Sequence, residues 1–118
     1  MTGDKGVFEM EKIFVKNCNV SGDIAGDGVL RKVLSYADDL MLCEVTLEKG
    51  AAIPSHAHKN IQVTYVVSGS ISFTLKNECR VLSKGDTVLS PGNTPHSVEA
   101  LEDSVCVDVF SPMRNDFI

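Results

Sequence analysis

Short runs of β-forming residues follow one another along most of this chain, and this feature limits the possible folds more than any other. The runs predict eight strands, at residues 29–36, 40–47, 62–67, 71–75, 80–82, 87–89, 96–100 and 105–110. Turn-forming residues such as Gly50, Gly69 and Pro91 separate them. Many short strands with regular turn signals are typical of a β-sandwich or barrel. No segment keeps a helical period for long, so we predict an all-β fold.

The length of 118 residues fits a single compact domain. We predict one domain over residues 1–118, with an irregular N-terminal segment at 1–28, a barrel at 29–111 and a C-terminal tail at 112–118. Gly22, Gly26 and Gly28 alternate with aspartates in the first segment, and clusters of this kind usually mark loops.

Charge and composition exclude several classes of partner. The formal net charge of −5 disfavours nucleic-acid binding, which requires a basic surface. No apolar run approaches the ~18 residues of a membrane span, and the N-terminal residues lack the apolar stretch of a secretory signal. We therefore expect a cytoplasmic protein with no nucleic-acid or membrane partner. The four cysteines are widely separated in the sequence, and we expect reduced, buried thiols.

All three histidines of the chain fall in two short stretches. His56 and His58 are two residues apart, which places both rings on one face of an extended strand, and Gln62 shares their parity. His96 follows a proline-rich turn in the second stretch. Imidazole is the commonest protein ligand for transition metals. We predict that these four residues bind one divalent metal per chain, and that Ni, Fe, Mn, Co and Zn all suit the ligands. Three unrelated histidines are the alternative.

The strand predicted at 105–110 is apolar on both faces. Three valines line one face, whereas Cys106, Asp108 and Phe110 line the other. A strand with this composition is usually covered on both sides. The second cover would come from another sheet or from a partner subunit, and we expect a homodimer.

The two histidine-bearing stretches resemble the two sequence motifs of the cupin superfamily. The first motif matches at every spacing, with Gln62 where many members have glutamate. The second differs from the usual pattern at two positions, where Asn93 replaces a glycine and Ala100 replaces an asparagine. Asparagine tolerates left-handed backbone angles, so we expect the turn to be retained. The resemblance implies a cupin-type double-stranded β-helix, which is a jelly-roll-like barrel.

The C-terminal stretch DVFSPMRNDF resembles the end of the pectin-degradation cupins, which linearise uronates, and the similarity covers residues 30–118. Members usually carry glutamate in place of Asn115. The resemblance implies that Asp108 and Phe110 lie inside the barrel near the metal. It also implies metal-dependent ring opening of 4,5-unsaturated uronate monosaccharides from pectin or alginate, so that the partner is a small anionic sugar and the product a linear keto-acid.

Four side chains are candidates for acting on that sugar. We interpret Asp108 as the general base, with a structural aspartate as the alternative. Arg114 is a candidate carboxylate clamp or a salt-bridge partner of Asp116. Phe110 is either a wall of the sugar site or a core residue. Tyr65 either donates a hydrogen bond to the substrate or packs in the core.

Two further functions are compatible with the same ligands. A metal bound by three histidines also occurs in oxygen-activating enzymes, so a cupin dioxygenase is one alternative. A sugar-binding or sensor cupin without chemistry is the other, although a binding protein has no need of a base at Asp108.

Overall fold

The computed structural model describes residues 12–118, and the part of the predicted irregular segment at residues 1–11 lies outside that range. Ten strands form two antiparallel sheets that face each other. The strands are β1 (Asp23–Gly26), β2 (Val29–Ala37), β3 (Leu40–Leu47), β4 (Ala52–His56), β5 (Ile61–Ser68), β6 (Ser70–Leu75), β7 (Glu78–Ser83), β8 (Thr87–Ser90), β9 (His96–Ala100) and β10 (Ser104–Ser111). The six-stranded sheet has the order β1-β2-β3-β10-β5-β8, and the four-stranded sheet has the order β4-β9-β6-β7. The predicted all-β fold is confirmed.

All eight predicted strands are present, but two further strands were missed. β1 crosses the segment that was interpreted as irregular, so that interpretation is wrong for Asp23–Gly26. Asp27 and Gly28 form a two-residue hairpin turn between β1 and β2, with Gly28 at φ +74°. An Asp-Gly pair is a known hairpin signal. Because every residue of β1 is exposed, the strand has no apolar alternation that would predict it.

β4 was missed for a related reason. It is an edge strand that pairs with β9, and it contains Pro54, which has no backbone N–H to donate. Its residues are mostly exposed, so the period-two apolar pattern is absent. The strand that carries the first metal ligand therefore has the weakest sequence signal of the four-stranded sheet.

Two apolar clusters fill the space inside the barrel. The larger lies between both sheets and includes Leu47, Val66, Ile71 and Phe73, all 2% exposed or less. The smaller packs under the C-terminal tail. Between them, on the inner face of the six-stranded sheet, lies a group of polar residues that we call the polar belt: Arg31, Gln62, Thr64 and Asp108.

The outer face of the six-stranded sheet carries apolar side chains without full cover. On β5, Val63 and Tyr65 are 37% and 44% exposed. They pair in register with Val109 and Val107 of β10, and Val63 also pairs with Leu89 of β8. We call this surface the outer apolar strip: Val63, Tyr65, Val67, Leu89, Val105, Val107 and Val109. The inner face of β10 is covered by the other sheet, whereas its outer face is half-buried in the single chain.

The four cysteines are free, but the expectation that all are buried is wrong for two of them. Cys18 lies in an exposed 3-10 turn and Cys79 lies on the exposed strand β7. Cys43 and Cys106 are buried, and burial, followed by the nearby Asp108 carboxylate, raises the pKa of each thiol to about 12. Within residues 12–118, no helix is both long enough and apolar enough to cross a bilayer.

Candidate metal centre and ligand cavity

The three histidine rings meet inside the barrel, where one ligand nitrogen from each lies within 4.8 Å of the others. His56 is the last residue of β4 and is directly opposite His96, the first residue of β9. His58 lies beyond the end of β4, in the loop to β5, so the two rings are not brought together by sharing one face of an extended strand. This loop crosses from the four-stranded to the six-stranded sheet and places His58 close to His56 and His96.

Each histidine ring is fixed by a backbone carbonyl two residues away. The Nδ1 atoms of His56, His58 and His96 lie 2.9, 3.0 and 2.9 Å from the carbonyl oxygens of Pro54, Asn60 and Thr94. Because a carbonyl only accepts, Nδ1 must carry the hydrogen in all three rings. Nε2 then keeps its lone pair, which is the arrangement that metal-binding histidines usually have.

Asn60 connects the loop between β4 and β5, which we call the metal loop, to the C-terminal tail. No sequence pattern indicated this role. Its side-chain amide donates to the carbonyl oxygens of Pro112 and Met113 at 2.7 and 3.1 Å. Its own carbonyl holds the ring of His58. Asn60 is 3% exposed, so these hydrogen bonds are made away from water. The position of His58 is therefore set partly by the tail.

The turn before His96 also contacts the metal loop. The backbone N–H of Asn93 donates to the carbonyl of His58 at 2.6 Å. Asn93 has φ +58°, so the prediction that asparagine would take a left-handed conformation here is confirmed. A Cβ on the preceding Gly92 would lie 2.5 Å from the carbonyl oxygen of Lys59. Glycine is therefore required for the two loops to approach this closely.

A chain of hydrogen bonds joins Gln62 to Asp108. The Gln62 amide donates to the Thr64 hydroxyl at 3.0 Å, and that hydroxyl donates to Asp108 Oδ1 at 2.6 Å. Thr64 and Asp108 are paired in register across β5 and β10. Because the amide nitrogen is committed to Thr64, the Gln62 Oε1 atom faces His58 Nε2 at 3.0 Å. Thr64 was missed from the sequence, although its parity matches that of Gln62.

The donor atoms fit a divalent cation. Burial first, and then the Arg114 charge, lower the pKa of His58, which favours the neutral ring, and with Nδ1 carrying the hydrogen its Nε2 accepts. Two acceptors, His58 Nε2 and Gln62 Oε1, thus face each other with no proton between them. His96 Nε2 is buried and has no hydrogen-bond partner within the described residues. These residues would hold a metal ion that satisfies the three acceptor atoms, and because three imidazoles and one amide oxygen are neutral ligands, they would not reduce its charge.

Asp108 lies at the centre of the polar belt. Its burial raises the pKa of its carboxyl group, while hydrogen bonds from Thr64 and Gln62 and the charges of Arg114 and His56 act in the opposite direction. A buried carboxylate without a cation nearby is costly. A metal ion at the histidines therefore favours the ionised form of Asp108.

Arg114 forms an ion pair with Asp116, which was one of the two interpretations of this residue from the sequence. Its Nε and Nη2 atoms donate to Asp116 Oδ1 and Oδ2 at 3.0 and 2.8 Å, a bidentate geometry. This pair lowers the pKa of Asp116. Arg114 still lines the cavity, but two of its donors are already occupied.

Phe110 and Tyr65 have different surroundings. Phe110 is buried in the smaller cluster and also lines the cavity, with its ring 5.7 Å from the His58 ring and 5.6 Å from the Phe117 ring. Phe110 is therefore a core residue that also lines the cavity, and its role as a wall of a sugar site stays a prediction. Tyr65 points away from the barrel into the outer apolar strip. The expectation that Tyr65 contacts the substrate or packs in the core is corrected, because its parity on β5 is opposite to that of Gln62 and Thr64.

A cavity of about 340 Å³ contains the site. Ligand pockets in proteins are typically about 300–1,000 Å³, so a monosaccharide is a suitable occupant. Its polar lining is formed by His56, His96 and the polar belt, and its apolar lining includes Ile71 and Val98. Arg31 and Phe117 also line the cavity, and neither was a candidate from the sequence.

Comparison with known proteins identifies the class to which a barrel with three histidines and a glutamine at these positions belongs. Residues 43–110 match the family model described as "Cupin domain", and the chain belongs to the cupin family. It is 41% identical over 95 residues to the pectin degradation protein KdgF of Dickeya dadantii (strain 3937), which covers 79% of this chain and 86% of that protein.

Two solved structures have the same fold. KdgF from Halomonas sp. superposes with a TM-score of 0.85 at 36% identity, over 89% of this chain and 97% of that chain. An RmlC-like cupin from Shewanella frigidimarina NCIMB 400 superposes with a TM-score of 0.86 at 30% identity, over 89% of this chain and 95% of that chain. The predicted cupin barrel and its resemblance to the pectin-degradation cupins are confirmed.

Proposed function

We propose that this chain opens the ring of 4,5-unsaturated uronate monosaccharides to give linear keto-acids. One observation carries the proposal: the Asp108 carboxylate is joined through Thr64 to the metal-ligand candidate Gln62, in a cavity that His56 and His96 also line. A base adjacent to a Lewis acid is what removal of a hydroxyl proton requires. The 41% identity to KdgF, a pectin degradation protein, indicates the class of sugar.

His56, His58, Gln62 and His96 would hold the metal, which supplies a Lewis acid that polarises a bound oxygen. Asp108 Oδ1 accepts from Thr64, which leaves Oδ2 to accept the proton of the anomeric hydroxyl. Loss of that proton turns C1 into an aldehyde as the bond between C1 and the ring oxygen breaks. The electron pair passes into the enolate at C4 and C5. A proton at C4, for which protonated Asp108 is the available acid, completes the ketone at C5.

The reaction is an isomerisation, because every atom of the sugar is retained. It needs no oxidant and no second substrate. Asp108 suits both proton transfers because burial raises the pKa of its carboxyl group above the ordinary range of an aspartate, toward that of a general acid or base. A base works best when its pKa is near the working pH.

The test is addition of a lyase-generated unsaturated uronate to the metal-loaded protein. Ring opening destroys the conjugated enol, so absorbance at about 235 nm should fall as the proton is transferred. Oxygen uptake is measured in the same cell. A fall in absorbance without oxygen consumption supports the isomerase. Oxygen consumption supports a dioxygenase, and binding without either change supports a sensor, so both outcomes contradict the proposal.

We also propose that two copies of the chain pair through the outer apolar strip. The strip is continuous over three hydrogen-bonded strands, β8, β5 and β10. None of its residues is charged, so two copies can meet face to face without like-charge repulsion. β5 and β10 contribute eight residues each and β8 contributes four, so the patch covers roughly 300 Å² before side-chain relief is added. This is a suitable apolar centre for an interface of about 800 Å² per partner. The cytoplasmic location stays a prediction.

A further inference from the structure

Arg31 is a half-buried cation that lines the cavity and takes no part in the proton transfers proposed above. It lies on the inner face of β2, between Val29 of the larger apolar cluster and Val33 beside the smaller one. It lines the cavity together with His56 and Asp108. Its Nε atom is buried and has no hydrogen-bond partner within residues 12–118. A buried donor of this kind is costly to leave without a partner.

The two arginines of the cavity differ in how their charge is compensated. Arg114 gives two donors to Asp116 in a bidentate ion pair. Arg31 forms no side-chain hydrogen bond or ion pair with any described residue. Its guanidinium carbon lies 3.6 Å from the ring centre of Phe117. Stacking on this ring holds the guanidinium plane in place and leaves its N–H groups, which lie in that plane, free to bind.

We propose that Arg31 binds the carboxylate of the uronate and selects acidic over neutral sugars. The inference rests on the proposed function and names the residue that recognises the acidic group. A planar guanidinium matches a carboxylate in a bidentate pair, and such a ligand would satisfy the orphaned Nε–H. It replaces the expectation that Arg114 is the clamp, because the Nε and Nη2 edge of Arg114 is already engaged by Asp116.

This assignment also orients the sugar. In a uronate ring, C5 carries the carboxylate, and the anomeric C1 lies on the other side of the ring oxygen. Arg31 is on β2 and Asp108 is on β10, with β3 between them. Two strand spacings amount to about 10 Å between backbones, a distance over which both side chains can reach the same monosaccharide. A carboxylate held at Arg31 therefore directs the anomeric hydroxyl toward Asp108.

The test compares Arg31→Gln and Arg31→Lys with wild type, using Arg80→Gln as the matched control. Arg80 lies on β7 and forms an exposed ion pair with Glu78. Binding of D-galacturonate and of neutral D-galactose to the metal-loaded proteins is measured by calorimetry, and turnover of the unsaturated uronate is measured separately. Elemental analysis and thermal melting check metal content and folding.

We expect wild type and Arg80→Gln to bind galacturonate and not galactose. Arg31→Gln should weaken galacturonate binding and raise KM by roughly 10–100-fold, because a hydrogen-bonded charge is lost. Its kcat should stay within about threefold and its metal content should not change, since Arg31 contacts neither the metal ligands nor the reacting atoms in this proposal. Arg31→Lys keeps the cation but not the fork, so it should recover part of the affinity.

Unchanged galacturonate affinity in Arg31→Gln overturns the assignment, as does equal binding of galactose by wild type. A larger loss of binding in Arg114→Gln than in Arg31→Gln does the same. Failure of the proposed function is separate: it would appear as no fall in absorbance with wild type, while the calorimetry still reports whether Arg31 binds the acid. Should Arg31→Gln melt early, Arg31→Lys provides the same comparison in a folded protein.

Discussion

The inner and outer faces of β5 and β10 have opposite polarity to that of most antiparallel sheets. Inside the barrel the two strands carry Gln62, Thr64 and Asp108, whereas outside they carry valines and Tyr65. A sheet with one buried and one wet face usually places its apolar residues inside. The reversal is local, because Val66 and Cys106 on the same strands still belong to the larger apolar cluster. At Gln62, Thr64 and Asp108 the two strands line the cavity instead of packing in the apolar core.

Each face is incomplete in the single chain, but in a different way. The inner face has polar atoms, such as His96 Nε2 and Arg31 Nε, that find no partner among residues 12–118 and that a cation and an anionic ligand would satisfy. The outer face has apolar area in water, which costs about 25 cal/mol per Å². A metal and a sugar would complete the inner face, and a second copy of the chain would complete the outer face.

The largest effect is expected from loss of a metal ligand on the inner side. His96→Ala should weaken metal binding by more than about 100-fold, since even groups that only orient ligands are worth 10–100-fold. Turnover of the unsaturated uronate should then fall to background. Elemental analysis after gel filtration measures the metal, and far-UV circular dichroism checks the fold. Full metal content in both His96→Ala and His56→Ala would eliminate the site.

Asp108→Asn should produce the next largest effect. The substitution keeps the size of the side chain and an oxygen that accepts from Thr64, but it removes the base. We expect kcat to fall by about 10²–10⁴-fold, the usual contribution of a positioned base, with metal content and melting temperature close to wild type. A rate equal to that of wild type, with the metal bound, would make Asp108 a structural residue.

His96 and Asp108 also show how much of the candidate site can be predicted from the sequence alone. The grouping of the three histidines was predictable because cupin motif spacing encodes it locally, and the place of Asp108 inside the barrel followed from the C-terminal signature. Arg31, Thr64 and Asn60 were not, because their roles depend on partners far away in the chain. Thr64 meets Asp108 across 44 positions, and Asn60 meets Met113 across 53. Period-two alternation predicts which strands exist and which residues share a face, but it does not give the register between strands.

On the outer face, Val63→Lys should disrupt pairing of the chains. Val63 is at the centre of the outer apolar strip, and a lysine there would place two like charges in a symmetric interface. We expect the mass measured by light scattering at micromolar concentration to change from that of two chains to that of one.

Val81→Lys is the control for this change, because Val81 is 61% exposed on β7 of the other sheet. Its mass should stay that of two chains. A wild-type protein that already has the mass of one chain would contradict the dimer, and so would a Val63→Lys variant that remains paired.

The smallest effect is expected for Thr64→Val, which tests whether the inner polar belt orders the site as well as forming it. Valine has nearly the same shape but cannot accept from the Gln62 amide or donate to Asp108. The amide of Gln62 would lose the contact that directs Oε1 toward His58, and Asp108 would lose one hydrogen bond to its charged form. We expect kcat to fall by about 10-fold, as one charge-assisted hydrogen bond is worth roughly 1.5–3 kcal/mol and part of the order would remain.

Thr64→Ser should restore the rate, because the hydroxyl is retained. Thr46→Val, the same change at an exposed position on β3, should have no effect. If Thr64→Val and Thr46→Val both react at the wild-type rate, the hydrogen-bonded chain contributes to folding alone, and the polarity of the inner face would have to be explained by ligand contacts rather than by ordering of the base.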